Sequence, residues 1–436
     1  MPLLESSFWV ATALGAQYLP PAALRAVQLR RLRRMLAYCR AEVPFYRDLW
    51  AKAGVDVDRV RSLDDLRRLP IPSRRAIEEE PERIVARRSL PLFRAGTAHI
   101  RRSGGSSGGP RLEVHCDERS WRRLDGFYFR ALAALGYGPF TPIAYYWSAP
   151  FEERPHGRLG LMPKIQVPAH LDEEAQLAIL ERHPGVFWYY HPTSLFPLAK
   201  RFGERLRAAR PACVISHAEL LPRSMRVEIE RALGAPVYDE YGTSEFNRMA
   251  WQCRERSGYH VDADSIVLEI LDDDGRPAKP GEVGRAVVTG LVNRMMPLVR
   301  YELGDLLVAS DRRCACGRTL PMIESIEGRV KDCWCCPDGG TRTPRELLEP
   351  YASVDGLEQY ALTLEGPRRV TLEYVTSRDP ASVEAELARR FARACPGMEA
   401  TFARVPSLPK APTGKRPMIR GARAPEPRGT RPLFVE

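Results

Sequence analysis

The run RRSGGSSGGP at residues 101–110 supplies main-chain amides and hydroxyls but almost nothing with which to build a core. Glycine is costly to order, so two readings stand: a solvated flexible loop, or a cradle whose N–H groups and serines close on a phosphate. It is not a Walker A loop, because Pro110 stands where a Gly-Lys-Ser/Thr ending is required. A second reactive group is Cys253, His260, Cys314 and Cys316, a Cys-x6-His…Cys-x-Cys set. Four N/S donors suit tetrahedral zinc with no open position, which is a structural and not a catalytic arrangement. The spacing is not that of a standard finger. Cys333, Cys335 and Cys336 are competing ligands or plain thiols.

Other candidates are single residues inside short segments. YDEYGTSEF at 238–246 carries Tyr241, Gly242, Ser244 and Glu245; read alone it is a strand running into a turn with one exposed acid. LVRYELGDLL at 298–307 carries Asp305 after a glycine, where an acid is usually a turn residue. PTGKRP at 412–417 carries Lys415 in a chain whose positive charge is mostly arginine. The aromatic runs YYW at 145–147 and WYYHP at 188–192 read as core strands or as the lining of an acid pocket.

The elements that must position these residues follow from periodicity. Residues 21–53 have helical spacing, interrupted at Pro44, and SLDDLRRLP is a short helix capped by Ser62. RLEVHC reads as a strand and 117–135 as a helix. PIAYYW, VFWYY, ACVIS and APVYDEYG then alternate with helices, which predicts a parallel sheet. From 265 to 310 the pattern changes to strands joined by DDDG and KPGE turns. A smaller unit begins near 330, with strands around 358–375, a helix around 380–394 and a Pro-rich tail. No internal repeat of fixed period is present.

The glycine run, YDEYGTSEF, LVRYELGDLL, IEGRVKD at 326–332 and PTGKRP occur in a fixed order. In that order the chain resembles the adenylate-forming superfamily of acyl-CoA synthetases, luciferases and nonribosomal adenylation domains. VPFYRDLWAKAGVD and SLDDLRRLPI make it similar to the phenylacetate–CoA ligase branch and to capsule-biosynthesis adenylating proteins, over about residues 25–418. The resemblance implies an α/β fold: a large N-terminal adenylating domain of mixed sheets flanked by helices over 1–329, β-rich and zinc-clamped from about 250, and a small mobile α+β domain over 330–436. It implies attack of a carboxylate on the α-phosphorus of ATP, release of pyrophosphate, and transfer of the acyl group to CoA. Ser103, Gly105, Ser106, Ser107 and Gly108 would hold the leaving phosphates, with Gly104 where the family usually has Ser. Tyr241 and Gly242 would flank adenine, Ser244 would bond the α-phosphate and Glu245 would help hold Mg²⁺. Glu219 in ISHAELL falls near adenine, in a segment where Ser216, His217 and Ala218 depart from the family's Gly-Gly-Glu. Asp305 would take both ribose hydroxyls, and Arg329 ribose or phosphate; Glu302 departs from the family's basic or polar residue. Lys415 would bridge the attacking carboxylate and the α-phosphate. Lys331 and Asp332 fall at the hinge about which the C-terminal domain turns. CACGRTLP resembles a segment that carries zinc ligands in some relatives. The stretch CWCCPDGGTRTP departs from the post-hinge segment of CoA ligases, so an amine or a carrier protein stays open as acceptor.

Composition narrows the alternatives. The chain has 436 residues and a net charge of +11, but its arginines are scattered beside acids and not gathered in one stretch. That argues for compositional drift over a nucleic-acid surface, so a basic zinc-containing nucleic-acid binder is the distant alternative. No apolar run reaches membrane-spanning length. Glu5 stands before the apolar patch FWVATALGA where a secretory signal would be basic, and several of the ten cysteines sit in short clusters, so the expectation is a cytoplasmic protein without a membrane partner. A homodimer is left open. The presence together of Lys415, Glu245 and Asp305 argues against an adenylating fold that has lost its chemistry.

Overall fold

The computed structural model describes residues 2–102, 112–151, 157, 160–336, 340–421 and 434–435. The fold is mixed α/β, and the chain divides into two compact units. One contains Met1–Gly136 and Tyr241–Ser325; the other contains Tyr137–Glu240 and Ile326–Arg428. The small C-terminal sheet belongs to the same unit as the parallel strands, and the physical reason is a shared core described below.

In the first unit, helices Pro2–Ala16, Pro21–Glu42, Pro44–Lys52 and Glu118–Ala134 accompany an antiparallel sheet. The break at Pro44 falls where the sequence places it. The Pro2–Ala16 helix, which the sequence shows only as an apolar patch, approaches Glu118–Ala134 so closely that a Cβ at Gly126 would lie 2.8 Å from the Trp9 main chain. Strands Ile266–Leu271, Val283–Gly290 and Tyr301–Ala309 pair antiparallel in succession. The DDDG turn forms because Asp272 Oδ1 accepts from the amides of Asp274 and Arg276, with Gly275 at φ 76°. Charges inside this unit are paired: fully buried Arg130 donates to Asp262 and Asp264, and Arg300 to Glu269.

In the second unit, strands pair parallel in the order Lys164–Pro168, Ile143–Trp147, Phe187–Tyr190, Cys213–Ser216, Val237–Thr243. Alternation sends Tyr146, Trp188, Tyr190 and Val214 to one face, into a core with helix Pro192–Ala208. That core continues into Trp334, Tyr351, Tyr360 and Leu362 of the C-terminal part, where Phe196 meets Tyr360 edge to face at 6.3 Å. The small sheet consists of Leu357–Leu364 antiparallel to Arg369–Thr376, with Glu399–Arg404 and Ile419–Gly421 added parallel at its edges. Helix Pro380–Ala394 starts where Asp379 accepts from the Ser382 amide. Both match the sequence expectation.

Candidate active site

The first unit gathers three of the expected nucleotide residues. Strand Val237–Thr243 ends in Tyr241, whose hydroxyl donates to Asp305 Oδ2 at 2.8 Å; both side chains are buried. Asp305 points inward because it shares the buried phase of Tyr301 and Leu303 on its strand. Gly242 is fixed by close approach: a Cβ there would lie 2.6 Å from the Asn247 carbonyl oxygen as the chain doubles back. Ser244 Oγ donates to the carbonyl of Arg102 at 2.9 Å. This tethers the 241–246 turn to the strand that leads into the glycine run. Ser103, Gly105, Ser106, Ser107 and Gly108 themselves lie outside the described residues. Glu245 borders a small pocket with Arg101, Cys116, Phe246, Ser265 and Asn293.

Glu302, a departure from the family pattern, has a structural explanation. Its carboxylate pairs with Arg285 at 3.3 Å, both largely buried on neighbouring strands. Burial holds the Glu302 carboxyl above its ordinary range, opposed by Arg285.

The second unit positions Lys415. The loop closes on itself, with the Gly414 amide donating to the Ala411 carbonyl and the Ala411 amide to the Lys415 carbonyl, each at 2.8 Å. The Gly414 carbonyl accepts from Ser194 Oγ at 2.9 Å and from the Tyr146 hydroxyl at 3.2 Å. Glu219 completes the seat: Oε2 accepts from Thr193 Oγ1 at 2.6 Å and Oε1 from the Arg416 amide at 3.1 Å. Lys415 Nζ then donates to the Ala218 carbonyl at 2.9 Å. Ala218 is left-handed at φ 65°, a conformation that costs a non-glycine residue free energy. Burial raises the Glu219 carboxyl, opposed by the Thr193 hydrogen bond and the Lys415 ammonium.

Thr193, Ser194, Tyr146 and His191 were not singled out by sequence reasoning as holders of this loop. His191 precedes the first turn of Pro192–Ala208, so the segment HPTS carried a helix-start signal, but nothing in it pointed to residue 415. His191 is buried, and burial with the nearby Lys415 holds its imidazole down at about 3. Alternation divides the aromatic runs between two faces: Tyr146 and Tyr190 face the core, while Tyr145 and Tyr189 lie on the opposite face.

The Cys/His set comes together. The ligand atoms of Cys253, His260, Cys314 and Cys316 all lie within 4.8 Å of one another. Cys253 and Cys314 sulfurs are 3.5 Å apart, and Cys316 Sγ is 3.4 Å from His260 Nε2. Strand Tyr259–Val261 carries His260 opposite Trp251, two residues before Cys253. Such separations fit the edges of a tetrahedron about one small soft-ligand cation. Burial holds His260 neutral, at about 4, in its metal-binding form. Cys333, Cys335 and Cys336 stand apart in the second unit: Cys333 Sγ donates to the Arg329 carbonyl at 3.5 Å, and burial pushes its thiol up to about 12. Lys331 and Asp332 lie in the single turn Val330–Asp332, just after the exposed Arg329, and burial raises the Asp332 carboxyl.

No protein-family model matches the chain. Phenylacetate–coenzyme A ligase of Thermus thermophilus is 31% identical over 334 residues, covering 72% of this chain and 72% of that protein. The Escherichia coli K12 enzyme of the same name is 28% identical over 330 residues, covering 71% and 72%. Among solved structures, 2-hydroxyisobutyryl-CoA ligase in the postadenylation state superposes with a TM-score of 0.78 at 20% identity, covering 94% of this chain and 91% of that one. The same enzyme with CoA in the thioesterification state gives 0.64 at 19% identity, covering 93% and 91%.

Proposed function

The chain belongs to the phenylacetate–coenzyme A ligase family of adenylate-forming enzymes, and on that premise we propose how its residues divide the work. It is an AMP-forming acid–CoA ligase. A carboxylic acid is activated by ATP to the acyl-adenylate with loss of pyrophosphate, and the acyl group then passes to the CoA thiol. An aryl or small acyl acid is the substrate class we assign. The relatives are named as coenzyme A ligases, which favours CoA over an amine or a carrier protein as acceptor.

The observation that carries the division of roles is the docked Lys415 loop. It holds an ammonium at the carboxyl end of the Cys213–Ser216 strand, supported by Glu219, Thr193 and Ser194. A cation held there neutralises charge between an acid oxygen and an α-phosphate without reorganising at the moment of reaction. Tyr241 and Asp305 hold ribose and adenine, a buried carboxylate being able to accept from two hydroxyls at once. Ser244 contacts the α-phosphate, and the serines and glycines of 103–108 the leaving phosphates. Glu245 would hold Mg²⁺, which when bound supplies charge neutralisation to the phosphates. Arg329 adds a forked donor for the nucleotide, and Lys331 and Asp332 form the hinge for the second half-reaction. Cys253, His260, Cys314 and Cys316 would hold zinc, which ties two hairpins together and takes no part in the chemistry.

The test is acid-dependent ATP–pyrophosphate exchange over a panel of aryl and short-chain acids, with CoA added in a second series. Exchange with at least one acid, lost in Lys415→Ala, and thioester formation with CoA are the expected results. A folded protein that catalyses no exchange with any member of the panel overturns the reading.

A further inference from the structure

The parallel sheet of the second unit reverses its direction of growth at one place. Strand Lys164–Pro168 adds to one side of Ile143–Trp147, and Phe187–Tyr190 adds to the other. Open parallel sheets bind ligands outside the carboxyl ends of their strands at such a switch point. Here the side chains at those ends form a ladder of rings. Tyr145 and Tyr189 are register partners with centroids 4.4 Å apart; Tyr189 stacks on His217 at 3.8 Å and 26°; Trp147 continues beyond His217 at 5.9 Å and 24°. The ladder runs from Trp147, 39% exposed, to His217, 4% exposed. It ends in a charge, because the Tyr189 hydroxyl donates to Glu240.

A second observation at the same crevice is independent of the ladder. His191 is 2% exposed, packs against His217 at 4.7 Å and Tyr146 at 5.1 Å, and neither of its ring nitrogens has a hydrogen-bond partner among the described residues. Buried polar atoms are nearly always satisfied, so these two nitrogens can pair with water or with a bound molecule. Lys415 lies alongside, its Nζ on the carbonyl of the residue after His217.

We propose that this crevice takes the ring of an aromatic acid and that Glu240, oriented by Tyr189, selects rings bearing a hydrogen-bond donor, a hydroxyl or an amino group, over unsubstituted ones. The inference rests on the ligase reading for the identity of the site as an acid pocket. Stacked faces favour a flat ring over an aliphatic chain. An unsubstituted ring laid against Glu240 strips water from a carboxylate and returns nothing, whereas a ring hydroxyl or amine replaces the lost hydrogen bond. Sites built around a substrate donor discriminate strongly against the analogue that lacks it.

The experiment measures dissociation constants by calorimetry on the full chain for benzoate and phenylacetate against their ring-hydroxylated and ring-aminated counterparts. Wild type, Glu240→Leu, Glu240→Gln and Tyr189→Phe are compared, with pyrophosphate exchange run on the same acids. Wild type should favour the donor-bearing acids by roughly tenfold or more. The preference should collapse to about twofold in Glu240→Leu and weaken in Tyr189→Phe. Equal or tighter binding of the unsubstituted acids by wild type overturns the inference. So does a preference that survives Glu240→Leu, or, if that variant does not fold, one unchanged in both Glu240→Gln and Tyr189→Phe. Exchange without preference removes this inference and leaves the ligase reading standing; preference without exchange does the reverse.

Discussion

Lys415 Nζ donates to the carbonyl of Ala218 at 2.9 Å, a bond between residues 197 positions apart in the chain. The bond exists because Ala218 takes a left-handed conformation and because the lysine loop is seated one residue further on by Glu219. Its consequences can be tested residue by residue.

Gly414 tests the seating itself. A Cβ at this position would lie 2.7 Å from both Ala169 Cβ and the Tyr146 hydroxyl, and the residue sits at φ 85°. Gly414→Ala should therefore displace the loop and cut pyrophosphate exchange about 10²-fold or more, close to the effect of Lys415→Ala. Thioester formation from a supplied acyl-adenylate and CoA should fall far less. Equal losses in both half-reactions would show that the seat serves folding and not adenylation.

Asp305→Asn should raise KM for ATP roughly tenfold with a smaller change in KM for the acid. The carboxylate accepts from Tyr241, and the substitution weakens an acceptor that the nucleotide also needs. Tyr241→Phe should give a smaller effect in the same direction. Steady-state kinetics with ATP varied at saturating acid distinguishes this from a general loss of activity, which would lower kcat alone.

Metal analysis of the purified chain should return about one zinc per chain, reduced to near zero in Cys253→Ala/Cys314→Ala. Thermal unfolding of the double variant should shift downward by several degrees or more, as should wild type after chelation. Retention of full zinc content by the double variant would place the metal elsewhere.

Stability should fall below pH 6.5 through His191. Burial, with Lys415, depresses its folded-state value to about 3, while the unfolded imidazole titrates near the ordinary value of 6.5. Between those limits the unfolded chain binds the extra proton, so the contribution is fully present above the unfolded value and is lost as pH drops. From pH 7 to pH 5 this one group should remove about 2 kcal/mol. Urea unfolding at the two pH values should show a loss smaller by about that amount in His191→Phe; an identical loss in the two proteins would remove His191 from the account.

The sequence by itself determined the elements whose signals are local. Pro44 ends one helix and starts the next, Asp379 caps Pro380–Ala394, and alternation marks the strands from Ile143 to Thr243. It also placed Cys253, His260, Cys314 and Cys316 in one set, because soft donors spaced along turns have few other uses, and the structure brings them within 4.8 Å. What it left undecided depends on contacts between distant positions. Glu302 read as a departure until Arg285 appeared on the next strand. Glu219 read as an adenine neighbour, and that its oxygens accept from Thr193 and the Arg416 amide was not legible in ISHAELL. Phe196 and Tyr360 share one core, which neither segment signals by itself. YYW and WYYHP could not be divided between the two faces of the sheet until register fixed which ring faces which way. A strand's pattern states that two faces exist; only tertiary packing decides which is buried and what the other meets.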